Sequence, residues 1–372
     1  MGSETRHIFR EPLTSESDLI CGNVVPPLRK DAVTICLSSS NEYAPFLCVT
    51  ISSVLQNVKE DKYYDIVVLT TDISENNKRI ILRYANRYAN ICIRFMDVST
   101  LIKGKAFYTW AHFTAFTYYR LLIPDLFSDY EKVIYLDSDV VVTTDISELF
   151  ETDVSNYLLA AAFDTHVMGR LNPSNPACEL EYYQNVLRAN DYGYFQAGVM
   201  LFNIKQFCNC YKQGELIENA SKSHYRWLDQ DFLNVECRGR VKFLDNSWNV
   251  MVINNPKNVD EEYLSDEAYQ AYLTARHDPK IIHYVGKSIP CFVPAADMYQ
   301  YYWPYARDTP YYELILSKMV SEAEKRMRRQ QTLKQRIKAE WIMPVLNKIL
   351  PKGSKRRLFF KRAYFKLRGW EI

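Results

Sequence analysis

Two aspartates one residue apart, Asp137-Ser138-Asp139, follow directly on the run Lys132-Val133-Ile134-Tyr135-Leu136. Carboxylates spaced this way in an extended chain face the same side, with Cα atoms roughly 6–7 Å apart. At a strand end they offer an oxygen-rich seat for a hard divalent cation, whose coordination shell a diphosphate would complete. The same residues also fit a solvated loop in which Asp139 caps a turn. Spacing alone is weak evidence, because a second Asp-x-Asp occurs at Asp229-Gln230-Asp231. Only the first pair leaves an apolar strand.

The elements that must position this pair are legible upstream. Ala32 to Leu37 is a strand run that stops at Ser38-Ser39-Ser40-Asn41, and Phe46, Val49, Ile51, Val54 and Leu55 form the apolar stripe of a helix. Ile66 to Leu69 has the composition of a buried parallel strand, residues 76–88 are helix-like, and Ile91 to Phe95 is a third strand. This rhythm predicts a Rossmann-type α/β sheet, which binds ligands beyond the carboxyl ends of its strands. A helix over residues 113–122, ended by Pro124, and apolar runs from Leu158 to Phe163 and Val199 to Ile204 continue the pattern.

Six blocks then occur in order: Asn41-Glu42-Tyr43 with Leu47-Cys48-Val49; Tyr118-Tyr119-Arg120-Leu121-Leu122-Ile123-Pro124; residues 132–142 around the aspartates; Phe195-Gln196-Ala197-Gly198-Val199-Met200-Leu201-Phe202-Asn203; Asp229-Gln230-Asp231-Phe232-Leu233-Asn234; and Ile282-His283-Tyr284-Val285-Gly286. Together, across residues 33–305, they resemble glycosyltransferase family 8, which includes bacterial lipopolysaccharide galactosyl- and glucosyltransferases and glycogenin. The resemblance implies a single GT-A-type, nucleotide-sugar-binding domain with a mixed, mostly parallel sheet over residues 31–310. Residues 1–30 read as a loose or peripheral leader and 311–372 as a helical basic extension. The implied activity is retaining transfer of galactose or glucose from a UDP-sugar to a cell-envelope glycan or glycolipid.

The resemblance further implies Mn²⁺, with Mg²⁺ as the alternative, held by Asp137, Asp139 and His283. By itself His283, behind Ile281-Ile282, reads first as a hydrogen-bonded core histidine, although imidazole beside carboxylates suits Mn²⁺. For the donor, Tyr43 is expected to stack on uracil, with Ser40 where members commonly carry an aspartate and Asn41 following it. Arg120 is expected beside the ribose and sugar. Ser138, Ala197, Gly286 and Gln196, the last where members often have Asn, complete the donor set. Asp164 resembles a residue near the acceptor. The usual closing pattern His-x-x-Gly-x-x-Lys-Pro-Trp becomes His283-Tyr284-Val285-Gly286-Lys287-Ser288-Ile289-Pro290-Cys291, with isoleucine in the lysine's place. Lys287 is expected to reach the diphosphate instead; the alternative is a solvated loop lysine.

Gln230 matches the position facing the sugar, and an amide is a poor nucleophile. A front-face displacement is therefore expected, in which the leaving phosphate helps deprotonate the acceptor, Gln230 stabilises positive charge through its carbonyl, and Asp229 binds the sugar. Two other readings are open to the same residues. A sugar nucleotidylyltransferase would carry a glycine-rich basic loop after the first strand, and Ser38 to Tyr43 has neither glycine nor a basic residue. An inactive, membrane-bound scaffold finds support in Ser40 and Ile289, but the Asp137, Asp139 and His283 set speaks against it.

Charge divides the chain. Residues 321–372 hold 16 Lys and Arg against 4 Asp and Glu, whereas the other 320 residues hold 30 against 40. The basic end also repeats Leu333, Ile337, Trp341, Val345 and Ile349 every four residues, an amphipathic helix bent or ended near Pro344. Lys355-Arg356-Arg357-Leu358-Phe359-Phe360-Lys361-Arg362 follows, with Lys366, Arg368 and Trp370 beyond it, and this predicts attachment to an anionic membrane surface. The acidic remainder argues against nucleic acid as a partner. Nine cysteines without metal-site spacing, most in apolar stretches, read as reduced core residues, and with no signal-peptide pattern they point to the cytoplasm.

Overall fold

β-Branched and aliphatic residues make the longest buried runs, and these form the strands. The computed structural model describes residues 19–20, 22–109, 115–253, 260–294, 296–351 and 354–360. The strands are β1 (Leu19–Ile20), β2 (Val33–Ser38), β3 (Tyr64–Thr70), β4 (Ile91–Asp97), β5 (Lys132–Leu136), β6 (Val140–Val142), β7 (Leu159–Phe163), β8 (Phe195–Asn203), β9 (Val241–Leu244), β10 (Val250–Val252) and β11 (Ile281–Tyr284). An eight-stranded sheet runs β1-β4-β3-β2-β5-β8-β7-β9, and β10-β11-β6 form a second, three-stranded sheet.

From β1 to β5 the large sheet is parallel; β8 is antiparallel to both β5 and β7, and β9 is parallel to β7. All seven residues of β3 and all nine of β8 are buried, as expected for strands covered on both faces. Each fully buried aliphatic side chain contributes on the order of 1.5–3 kcal/mol. Strand order reverses between β2 and β5, so the crevice beyond their carboxyl ends is the topological switch point.

Helix α1 (Ala44–Leu55) connects β2 to β3 and is buried along its whole length. Its polar side chains serve β6: Thr50 donates to the Val140 carbonyl (2.8 Å), and the Val142 N–H donates to Ser53 Oγ (2.9 Å). These bonds satisfy strand groups that would otherwise be buried without partners. On the far side of the large sheet's centre, Arg94 of β4 pairs with Asp65 of β3 through Nε–Oδ1 (3.1 Å) and Nη2–Oδ2 (2.5 Å), both residues buried.

Several sequence expectations change. Part of the 1–30 leader belongs to the fold: Leu19–Ile20 pairs with β4, and Val25 is buried with its N–H on the Leu126 carbonyl. Residues 1–18 lie outside the described residues. The helix expected over 113–122 is a 3₁₀ segment, Ala115–Leu122, its first two expected residues lying outside the description. Pro124 does not end it but occupies the first turn of the next helix, Ile123–Leu126, where a missing N–H costs nothing. Cys36, Cys48, Cys237 and Cys291 are buried as expected, but Cys178, Cys208 and Cys210 are exposed, and Cys21 lies outside the described residues.

The chain divides into two compact units, residues 1–315 and 316–372. The helix Tyr312–Ile337 begins at the end of the first and continues in the second, running into a π-helical turn at Lys338–Ile342 and then the helix Met343–Ile349, whose first turn accommodates Pro344. Trp341, Val345, Ile349, Phe359 and Phe360 are exposed. The side chains of Leu333 and Ile337, and residues 361–372, lie outside the described set. Among the described residues no helix is long and apolar enough to cross a membrane.

Candidate active site

Three ligand-type side chains meet beyond β5. Asp137 continues that strand, and its N–H donates to the Gly198 carbonyl of β8 (2.8 Å). After Asp139 the chain becomes β6, which pairs antiparallel with β11 so that His283 lies opposite Val140. The Tyr284 N–H on the Asp139 carbonyl (3.0 Å) extends that ladder to the aspartate itself. Residues far apart in sequence are thus brought together by backbone pairing. Asp137, Asp139 and His283 each offer one ligand atom, and these atoms lie within 4.8 Å of one another.

The groups around them leave the right atoms available. Asp137 Oδ1 accepts from Tyr135 Oη (2.8 Å) and Arg120 Nη2 (3.0 Å), so its Oδ2 is the oxygen left towards His283. His283 Nε2 lies 3.2 Å from Asp139 Oδ1 and 3.8 Å from Asp137 Oδ2. Burial pulls the imidazole pKa down, but the Asp139 and Asp137 carboxylates outweigh it and raise the value above that of an ordinary histidine. A divalent cation would replace the proton these carboxylates favour. The floor is Gly198: a Cβ there would stand 2.3 Å from His283 Cε1 and 2.7 Å from Asp137 Oδ2. Donor chemistry and space therefore fit a hard or borderline divalent cation bound by two carboxylates and an imidazole.

Arg120 lies beside this centre, from the 3₁₀ segment, and is almost completely buried. Its guanidinium bridges Asp137 and Asp229 (Nε–Oδ2 2.9 Å), stacks 4.6 Å from the Tyr135 ring centroid, and donates to the Ala197 carbonyl. Asp229 also accepts from Thr117 Oγ1. Burial pushes the Asp229 carboxyl up to about 6 against the opposing pull of Arg120.

Asp229 and Gln230 open helix α2 (Leu228–Glu236), just after Leu228, whose backbone is left-handed at φ 52°. Gln230 is held at both ends of its amide: Oε1 accepts the Ala197 N–H (3.0 Å), and Nε2 donates to Asp164 Oδ2 (2.9 Å). Asp164 is buried, and its other oxygen accepts the Val167 N–H (2.9 Å). Its visible work is thus to orient Gln230. Asp231 accepts from Tyr194 (2.6 Å), Tyr182 (2.7 Å) and the Trp227 N–H (2.7 Å), fixing the turn that presents its neighbours. Gln196 Oε1 accepts from Gly198 N (2.6 Å) and Asn249 Nδ2 (2.7 Å), leaving only its NH₂ for a ligand.

The remaining expected donor residues are less tightly joined. Ser40 and Tyr43 lie in the turn after β2, with the Tyr43 N–H on Ser40 Oγ (3.3 Å) and the Tyr43 ring half-buried against Phe46. The Asn41 oxygen is committed elsewhere, accepting from Ser74 N (3.0 Å) and Asn77 Nδ2 (2.8 Å). Ser138 turns its hydroxyl to the Ser38 carbonyl (2.7 Å), tying the ends of β2 and β5. Gly286 is left-handed (φ 63°), Lys287 is exposed on the turn that follows β11, and Ile289 is fully buried. An apolar residue at 289 is therefore part of the core.

The sequence reading missed Thr117, Tyr135, Gly198 and Asn249 as site residues. Tyr135 carried a signal, being two residues before Asp137 and so on the same strand face. Gly198 carried another, since glycine in a buried strand marks a close approach. Asn249, in an unremarkable Ser-Trp-Asn run, carried none.

The family model described as "Glycosyl transferase family 8" matches residues 34–290. A Haemophilus influenzae protein is 31% identical over 221 residues, covering 58% of this chain and 63% of its own length. The lipopolysaccharide 1,3-galactosyltransferase of Salmonella typhimurium is 26% identical over 258 residues, covering 65% of this chain and 68% of that protein. Among solved structures, the WbbM bifunctional glycosyltransferase aligns with TM-score 0.72 at 34% identity, over 79% of this chain and 53% of its own. The galactosyltransferase LgtC, solved with donor and acceptor sugar analogues, aligns with TM-score 0.60 at 26% identity, over 74% of this chain and 96% of its own. The chain thus spans less than two thirds of the length of the Haemophilus influenzae protein and of WbbM.

Proposed function

This chain belongs to glycosyltransferase family 8, and on that premise we propose that it is a retaining hexosyltransferase. It moves galactose or glucose from a UDP-sugar to a cell-envelope glycan or glycolipid at the inner face of the membrane. The observation that carries the proposal is the convergence of Asp137, Asp139 and His283 at the switch point, with Arg120, Asp229 and Gln230 beside it. The lipopolysaccharide galactosyltransferase and LgtC among its relatives favour galactose of the two as the donated sugar.

Breaking the anomeric bond gives an oxocarbenium-like transition state, with negative charge growing on the departing diphosphate. Asp137, Asp139 and His283 would hold Mn²⁺ or Mg²⁺, which stabilises that charge as a Lewis acid. Arg120, fixed between Asp137 and Asp229, adds positive potential without needing to reorganise. Asp229 and Gln196 bind sugar hydroxyls, Gln196 as a donor. The Gln230 oxygen keeps one lone pair beyond its bond from Ala197, and this faces the positive charge on the sugar. Ser40 and Tyr43 receive the uracil, with the backbone of Asn41, Ser138, Ala197 and Gly286 shaping the donor cleft. Lys287 reaches for the diphosphate. The exposed aromatic and basic residues of the second unit bind anionic lipid.

The test is UDP release from purified protein supplied with UDP-galactose or UDP-glucose, with and without Mn²⁺. Slow Mn²⁺-dependent hydrolysis is expected, reduced by about 100-fold or more in Asp139→Asn. Absence of turnover with every UDP-sugar, together with absence of Mn²⁺-dependent UDP binding, would overturn the proposal and leave a different nucleotide or the scaffold reading.

A further inference from the structure

A neutral histidine coordinates through one ring nitrogen when its proton sits on the other, so what lies behind the ring decides which nitrogen is available. Behind His283 the hydrogen-bond chain can be read from a backbone group outward. The Gly198 N–H can only donate, and it lies 2.6 Å from the Gln196 amide, which identifies that atom as the carbonyl Oε1. The Asn249 atom 2.7 Å from the same Oε1 must then be the donor Nδ2. That leaves Asn249 Oδ1, an acceptor, 3.2 Å from His283 Nδ1. Nδ1 therefore carries a proton, and Nε2, which lies between Asp137 and Asp139, is the nitrogen whose lone pair a cation would take in place of a proton.

We propose that Asn249 is the positioning residue that sets the tautomer and ring plane of His283, and that Gln196 acts through it by fixing the Asn249 amide. Asn249, Gln196 and His283 are all buried, so water cannot readily substitute for these bonds. The supports are rigid: Asn249 directly precedes β10, which pairs in parallel with β11 so that Met251 lies opposite His283. Gln196 belongs to β8, the same strand that supplies the glycine floor. The relay thus joins the strand facing the donor sugar to the imidazole, and any shift of Gln196 is felt at the metal centre. This inference rests on His283 being a metal ligand.

The experiment is a titration of Mn²⁺ alone, followed by the electron paramagnetic resonance signal of the free ion, with thermal unfolding of each metal-free protein alongside. Parent binding that is lost in His283→Ala establishes the ligand. Asn249→Leu, alike in branching and heavy-atom count but without an acceptor, is expected to weaken Mn²⁺ binding by about 10- to 100-fold. Asn249→Asp restores an acceptor towards Nδ1 and is expected to bind within about threefold of the parent. It should nonetheless melt at a lower temperature, because its second oxygen faces Gln196 Oε1. A purely structural role would make affinity follow stability in both variants. Parent-like binding by Asn249→Leu, or loss of binding in Asn249→Asp, overturns the proposal, and the aspartate variant decides alone if the leucine variant does not fold. Failure of the parent to bind, or full binding by His283→Ala, overturns the ligand assignment beneath it.

Discussion

At the residue scale, the site depends on an atom that is missing. Gly198→Ala would place a methyl group within contact-forbidden distance of both His283 and Asp137. The expected result is destabilisation by about 1–3 kcal/mol with Mn²⁺ affinity down by about tenfold or more, read from thermal unfolding and metal titration. Asp229 gives a second expectation. With its carboxyl raised to about 6, the folded protein holds a proton there that the unfolded chain has released, so its contribution to stability falls as pH rises from the ordinary aspartate range to about 6. Activity that needs the ionised carboxylate rises through the same window. A kcat/KM profile should therefore rise across this window, while the Asp229 contribution to the melting temperature, read as the parent minus Asp229→Asn, should fall. Asp137 and Asp139 could be read from spacing after an apolar run, whereas His283 needed family context because a histidine behind two isoleucines looks like core. Asn249 was invisible because its partner lies on a strand that only tertiary pairing brings alongside.

At the element scale, the parallel half of the sheet was legible because its strands are short, apolar and separated by helical patterns. The reversal at β8 was not. A fully buried strand reads the same in either direction, yet its direction is what brings Gln196, Ala197 and Gly198 to the carboxyl end of β5. The small β6–β11–β10 sheet was equally hidden, since three- and four-residue strands carry too little periodicity to register. The turn after β11 carries an expectation of its own. Lys287 is exposed there while Ile289 is packed inside, so Lys287→Ala should leave the melting temperature unchanged and lower kcat by about 10- to 100-fold if the ammonium meets the diphosphate. Unchanged turnover would make it a solvated loop lysine.

At the scale of the whole molecule, charge is segregated between an acidic catalytic region and a basic end whose described aromatic residues are exposed. Sedimentation with phosphatidylglycerol vesicles should capture the protein, with binding falling between 0.1 and about 0.5 M salt as screening shortens. Trp341→Ser with Phe359→Ser should weaken capture while leaving hydrolysis of a UDP-sugar intact. The acidic balance also reaches into the cleft, where Asp137, Asp139 and Asp229 face the lone guanidinium of Arg120 among the described groups joined to them. Before a cation arrives, a doubly charged diphosphate approaches a seat of its own sign. The order of events follows: the ion enters first or travels with the nucleotide, and chelation should appear as a failure to capture the donor before it appears as a slower reaction.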